Sequence, residues 1–177
     1  MKGNGQLNLI KSWKMIHTLV YKTTSSSKLQ WFQLSIIHII LAISLFLKKI
    51  NLKDNDKCTF CMESVELIDH IFLSCPKTAE IWEDHNLWIY EKTHIELLIN
   101  FDFVIFGFLH KSDMNVVRNI IILLSKFYIY RTKLDSRVLN VTALKDYLRE
   151  NMYIEKQIYC NNKILEKSQT CWTPLFS

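Results

Sequence analysis

Three thiols and one imidazole, Cys58, Cys61, His70 and Cys75, stand within the span 58–75 and constrain this chain more than any other feature. Zinc favours a tetrahedral set of sulfur and nitrogen donors, and a two-residue gap lets one tight turn present both Cys58 and Cys61 to an ion. Val65 to Phe72 has helical spacing, which predicts a helix there with His70 near its end and Cys75 just past it, facing the same ion. A buried cysteine is also a small hydrophobe, and two thiols two apart can form a redox pair. No strand-then-helix pattern flanks Cys58, which argues against a thioredoxin-like motif. Four protein ligands fill the coordination sphere and leave no place for a reactive water, so the pattern predicts structural Zn2+ rather than a zinc hydrolase.

Around that site the chain has little to interrupt a helix. Its 177 residues contain three glycines and two prolines, which predicts a mainly α protein: a helical domain with a small CCHC turn-helix element and at most one short strand. With 49% apolar residues it can bury an ordinary core. We expect one contiguous unit with N-terminal helices over 1–50, the CCHC zinc-binding module over 51–92 and a C-terminal helical region over 93–177. Five cysteines, four of them outside any need for pairing, suit a reducing compartment, so an intracellular location in nucleus or cytoplasm is expected. The N-terminus is polar and carries no signal-peptide pattern.

Taken in order, the polar stretch 1–6 precedes apolar repeats that predict a helix from Leu7 to Tyr21. Thr23 to Ser27 is a polar stop. Lys28 to Lys49 then reads as one long core helix. Its apolar run Leu34 to Leu47 spans 14 residues, short of the ~20 a membrane helix needs. Pro76 fits the first position of a further helix carrying Trp82 and Trp88 as core anchors, with His85 and His94 as surface residues. Thr93 and Glu96 have capping-box spacing for a short helix through Leu98. Phe101 to Leu109 fits either a short strand or a helix end. Asp113 or Asn115 is expected to cap an amphipathic helix from Val116 to Lys133, and Asn140 or Thr142 a last one to Tyr159. Cys160 and Cys171 form no metal pattern, and Trp172 to Leu175 punctuate a polar tail.

Charge is uneven. Residues 1–60 hold nine Lys and two Asp, residues 61–110 two Lys against nine acids, and residues 111–177 eleven Lys or Arg against six acids, for a net +5. Basic flanks around an acidic middle place any phosphate contact on the flanks. Lys48, Lys49, Lys53 and Lys57 beside the metal turn, with Arg118, Lys126, Arg131 and Lys133 on the later helix, are the candidates for RNA or DNA binding.

The words Leu29-Gln30-Trp31-Phe32-Gln33-Leu34, Cys58-Thr59-Phe60-Cys61, Glu66-Leu67-Ile68-Asp69-His70-Ile71-Phe72 and Cys75-Pro76 to Trp82 together resemble the C-terminal zinc-binding region of LINE-type (non-LTR) retrotransposon reverse transcriptases. The resemblance implies that Cys58, Cys61, His70 and Cys75 hold zinc, that the region binds template RNA or target DNA, and that it is not itself catalytic. It also implies the polymerase portion as a partner. Ile39 departs from the basic residue common there in the family. Polymerase chemistry needs paired aspartates for divalent metals, and these 177 residues contain no Asp-Asp pair; the chain reads as a fragment without the polymerase. The alternative is a structural or protein-interaction zinc module, or a non-functional relic.

Overall fold

With so few breakers, most of the described chain is helical, and the long non-helical stretch is the one that carries Cys58 and Cys61. The computed structural model describes residues 3–110 and 112–161, and 68% of those residues are helical. The order is α1 (Gly3–Thr23), α2 (Ser27–Ile37), α3 (Ser44–Lys49), a single π-turn (His70–Ser74), α4 (Pro76–Thr93), α5 (Phe101–Phe106), α6 (Asp113–Leu134) and α7 (Val141–Asn161). Extended pairing among the described residues is confined to one antiparallel bridge between Lys57 and Val65. No described helix is long and apolar enough to cross a membrane. Cys171 and the Trp172 to Leu175 segment lie outside the described residues, as does the side chain of Cys160.

The helix at the centre is α6. Residues 120–127 are all buried, so it is enclosed on every side rather than packed by one stripe. Helices α1, α2 and α7 pack against it, and α4 contacts both α7 and the π-turn. Phe32 of α2 meets Phe72 of the π-turn and Phe127 of α6 edge-on, with ring centroids 6.2 and 5.0 Å away. That aromatic junction ties the cysteine-bearing loop to the core.

The expected single helix from Lys28 to Lys49 is instead broken. Helix α2 stops at Ile37, and Ile39 takes a left-handed φ of 58°. The Ile40 N–H donates to the Ser35 carbonyl and the Ile39 N–H to that of Ile36, the paired bonds of a Schellman end. The break turns Leu41 and Ile43 into the core and brings Ser44 to the metal loop, so tertiary packing overrides the apolar run. The same motif closes α3 with Asn51 at φ 56° and α6 with Ser136 at φ 50°.

Other boundaries shift for equally local reasons. Helix α1 begins at Gly3, ahead of the expected Leu7. Val65 and Glu66 do not belong to a helix: Val65 is held in the bridge, and the Glu66 N–H donates to the Asp56 carbonyl. Thr93 ends α4 rather than starting a helix; its hydroxyl donates to Ile89 O and accepts from the Ile95 N–H. Asn86 then pins the next segment by bonding both the N–H and the carbonyl of Leu97. Ile95 and Leu97 are consequently buried and Glu96 and Leu98 exposed. Phe101–Phe106 is helix, capped by Asn100. It ends at Gly107, whose φ of 82° and close approach to Asn119 and Leu19, 2.9 Å from where a Cβ would sit, require glycine. Ser112, rather than Asp113 or Asn115, caps α6. Asn140 caps α7 as expected, accepting from the Ala143 N–H. Trp82 and Trp88 are core residues as expected.

His85 is not a surface residue. It is completely buried between Trp82 and Trp88, and neither ring nitrogen has a hydrogen-bond partner. Burial, and then the Lys145 charge, push its pKa down to about 3, so the ring is neutral. His94 is exposed.

Candidate metal centre

A short knuckle presents the first two thiols. The Cys58 N–H donates to the Ser64 carbonyl and the Met62 N–H to that of Cys58, which folds Thr59, Phe60 and Cys61 into a turn. Met62 sits left-handed at φ 61°. The other two donors come from the π-turn: His70 opens it, and Cys75 closes it by donating its N–H to the His70 carbonyl. Proline at the next position starts α4 without needing a donor there.

The four donor atoms lie within 4.8 Å of one another, a cluster suited to hold a metal ion. Two of its edges are close to those of a zinc tetrahedron. Zinc–sulfur bonds of about 2.3 Å and zinc–nitrogen bonds of about 2.05 Å set edges of about 3.8 Å between two sulfurs and about 3.6 Å between sulfur and nitrogen. Cys58 Sγ and Cys75 Sγ are 3.8 Å apart, and Cys61 Sγ and His70 Nε2 are 3.4 Å apart. The other ring nitrogen, His70 Nδ1, faces Ser74 Oγ at 3.4 Å, an outer contact of the kind that orients a ligating imidazole. Zn2+ is the cofactor this donor set suits: soft sulfur and borderline nitrogen, tetrahedral and closed. When bound, it supplies a crosslink between knuckle and π-turn.

The two knuckle thiols differ electrically. Burial first, with the neighbouring thiols Cys75 and Cys61 adding to it, pushes Cys58 up to about 12. Burial also acts to raise Cys61, but the backbone at Ser64 and Glu63 and the His70 ring outweigh it and bring that thiol down to about 6. Metal must therefore displace a tightly held proton at Cys58, so binding releases protons and weakens in acid.

Behind the cluster is a polar network that sequence reasoning missed. Glu66 is completely buried. One carboxylate oxygen accepts from the N–H and hydroxyl of Ser44 at 2.6 and 2.8 Å, and the other from the N–H and hydroxyl of Thr59, both at 2.8 Å. Lys133 of α6 completes it, with Nζ 3.1 Å from Glu66 and 2.6 Å from the Ala42 carbonyl. Burial opposes ionisation of Glu66, yet these donors and the Lys133 charge hold its pKa below the ordinary value. One carboxylate thus clamps the knuckle to α3 and α6. The available signal was an acid placed amid apolar residues inside the cysteine motif.

Two of the eight proposed phosphate contacts are corrected here. Lys126 is fully buried, its ammonium 2.6 Å from both Gln33 Oε1 and the Val104 carbonyl, and burial lowers its pKa to about 7. Lys133 is committed to Glu66. Neither can reach a phosphate. Lys53 bonds Ser44 Oγ, and Arg118 lies over Phe108 and bonds the Glu96 carbonyl. Lys48 pairs with Asp56, and Lys57 bonds the Glu63 carbonyl, both from exposed positions. Lys49 and Arg131 are exposed, Arg131 within 4.0 Å of Asp135.

Residues 6–82 match the family model described as zinc-binding in reverse transcriptase, a span that includes all four donors of the cluster. No curated protein and no solved structure matches the chain.

Proposed function

We propose that this chain is a non-catalytic, zinc-held nucleic-acid-binding module of a LINE-type (non-LTR) retrotransposon reverse transcriptase, separate from the polymerase portion. In this reading Cys58, Cys61, His70 and Cys75 ligate one structural Zn2+ within the module 51–92, and it acts on RNA or DNA in the nucleus or cytoplasm. The observation that carries it is the coincidence of tetrahedral donor spacing with a family match over the same residues. Lys48, Lys49 and Lys57, exposed on and beside the knuckle, are the favoured phosphate contacts, with Arg131 at the end of α6 as a fourth. A closed sulfur-rich site gives zinc the role of fixing that surface rather than of activating water.

Two measurements test this. Metal analysis of the purified chain is expected to give one zinc, lost in Cys75→Ser; a chain that folds and retains no zinc overturns the metal assignment. Fluorescence anisotropy with single-stranded RNA and DNA over a salt series is expected to show affinity falling with salt. Four phosphate contacts on a single strand give a logarithmic slope of about −3. The triple variant Lys48→Gln, Lys49→Gln, Lys57→Gln should flatten it. The exposed side chains of Trp31, Ile39 and Leu52 support a second reading, docking on a protein such as the polymerase portion. Affinity for nucleic acid that ignores salt, or none at all, would favour that one.

A further inference from the structure

We infer that His17 and His38 form a second, exchangeable metal site, for a divalent first-row transition ion such as Zn2+, on the face of the molecule where α1 meets the end of α2. The two rings come from residues far apart in sequence, yet their Nε2 atoms face each other 3.1 Å apart at an exposed position. Two imidazole nitrogens on one tetrahedral zinc stand about 3.3 Å apart, so an ion needs an opening of only a few tenths of an ångström.

The proton placement on His17 already suits a metal. Its Nδ1 lies 3.0 Å from the Trp13 carbonyl, which can only accept, so Nδ1 carries the proton. The neutral ring then has its lone pair on Nε2, the nitrogen aimed at His38. A backbone carbonyl behind the far nitrogen is the usual outer partner of a ligating histidine. The Trp13 ring stacks on His17 with centroids 5.7 Å apart and planes 29° apart, which further fixes its direction. His38 is the C-cap of α2, its backbone set by the Schellman bonds that follow it. Both ligands are thus placed before an ion arrives. With no ion, one proton on His38 Nε2 can bridge the pair; metal takes that position, and His38 keeps its proton on Nδ1 instead. Two protein donors leave the remaining coordination positions to water or to an oxygen anion, so this site is weaker and more open than the cysteine cluster, with which it shares no residue.

The test is calorimetric titration of the full chain, loaded with one equivalent of zinc and kept reduced without a chelating thiol, with further Zn2+. Wild type is expected to bind a second equivalent, and His17→Gln and His38→Gln each to weaken that step at least tenfold. Both positions are surface-lying, and far-UV circular dichroism checks that the variants are folded. Independently, histidine ring NMR signals of the zinc-loaded protein should shift on sub-stoichiometric Ni2+ for His17 and His38 ahead of His94 and His110. A wild-type chain that stops at one equivalent, a second equivalent that survives both substitutions, or Ni2+ shifts spread evenly over the exposed histidines overturns the inference. Co2+ absorption from thiolate reports the cysteine cluster alone, so failure of one site is distinguishable from failure of the other.

Discussion

Removing the Glu66 carboxylate isolates what the buried network contributes. In Glu66→Ala, the Lys133 ammonium stays buried with only the Ala42 carbonyl to receive it. The N–H groups of Ser44 and Thr59 also lose their acceptor. Stranding one member of a buried ion pair costs about 3–5 kcal/mol, or roughly two to four decades in the folding equilibrium. Lys133→Met is milder, since Glu66 keeps four donors and the methionine fills the space of the lysine stem; losing a hydrogen bond to a charged group costs about 2 kcal/mol. The double variant has no stranded charge, so its loss should fall short of the sum of the singles by more than about 1 kcal/mol. Urea unfolding of the zinc-loaded chain, followed by tryptophan fluorescence, reads all three; with a slope of about 2 kcal/mol/M, Glu66→Ala should lower the midpoint by about 2 M. A Glu66→Ala loss below about 1 kcal/mol, or strictly additive losses, would refute the coupling.

Three further outcomes follow from burial and backbone. Lys126 titrates at about 7 when folded against 10.5 in the open chain, so the unfolded state binds the extra proton in that window and stability should rise from pH 7 towards 10. Lys126→Met should remove that rise in urea midpoints measured across the range. His85 titrates at about 3 when folded against 6.5 unfolded, so its effect is loss of stability as pH falls from 6.5 towards 3. His85→Phe should blunt this acid loss while changing neutral stability by less than about 1.5 kcal/mol; an unchanged acid limb would count against it. At Ile39, exposed and left-handed, Ile39→Gly should stabilise by about 1 kcal/mol, and a measured loss would show that the isoleucine makes contacts outweighing its backbone strain.

The helical class, the four clustered donors, the Pro76 start and the Trp82 and Trp88 core could all be read from residue types and spacing, because each follows from local chemistry. What could not be read were the helix ends. Three helices stop in Schellman motifs whose left-handed residue is Ile39, Asn51 or Ser136 rather than glycine, so the usual stop signal was missing and the Leu34 to Leu47 run looked continuous. Long-range polar satisfaction was equally hidden. Lys126 and Lys133 look like solvated cations on a helix face, and only tertiary contact with Gln33, Val104 and Glu66 draws them inside. For His85 the flanking tryptophans were a usable hint, since a ring between two anchors on one helix face follows them inward.

The partner that neutralises Glu66 arrives late in the chain. Lys133 lies well beyond residue 82, where the family match ends, so a peptide trimmed to the matched stretch would keep all four metal donors and the Ser44 and Thr59 bonds to Glu66 but lose the cation that balances its charge and the helix that covers it. Such an excised finger would have to open to water at its base, and its grip on metal would loosen although no ligand had been touched.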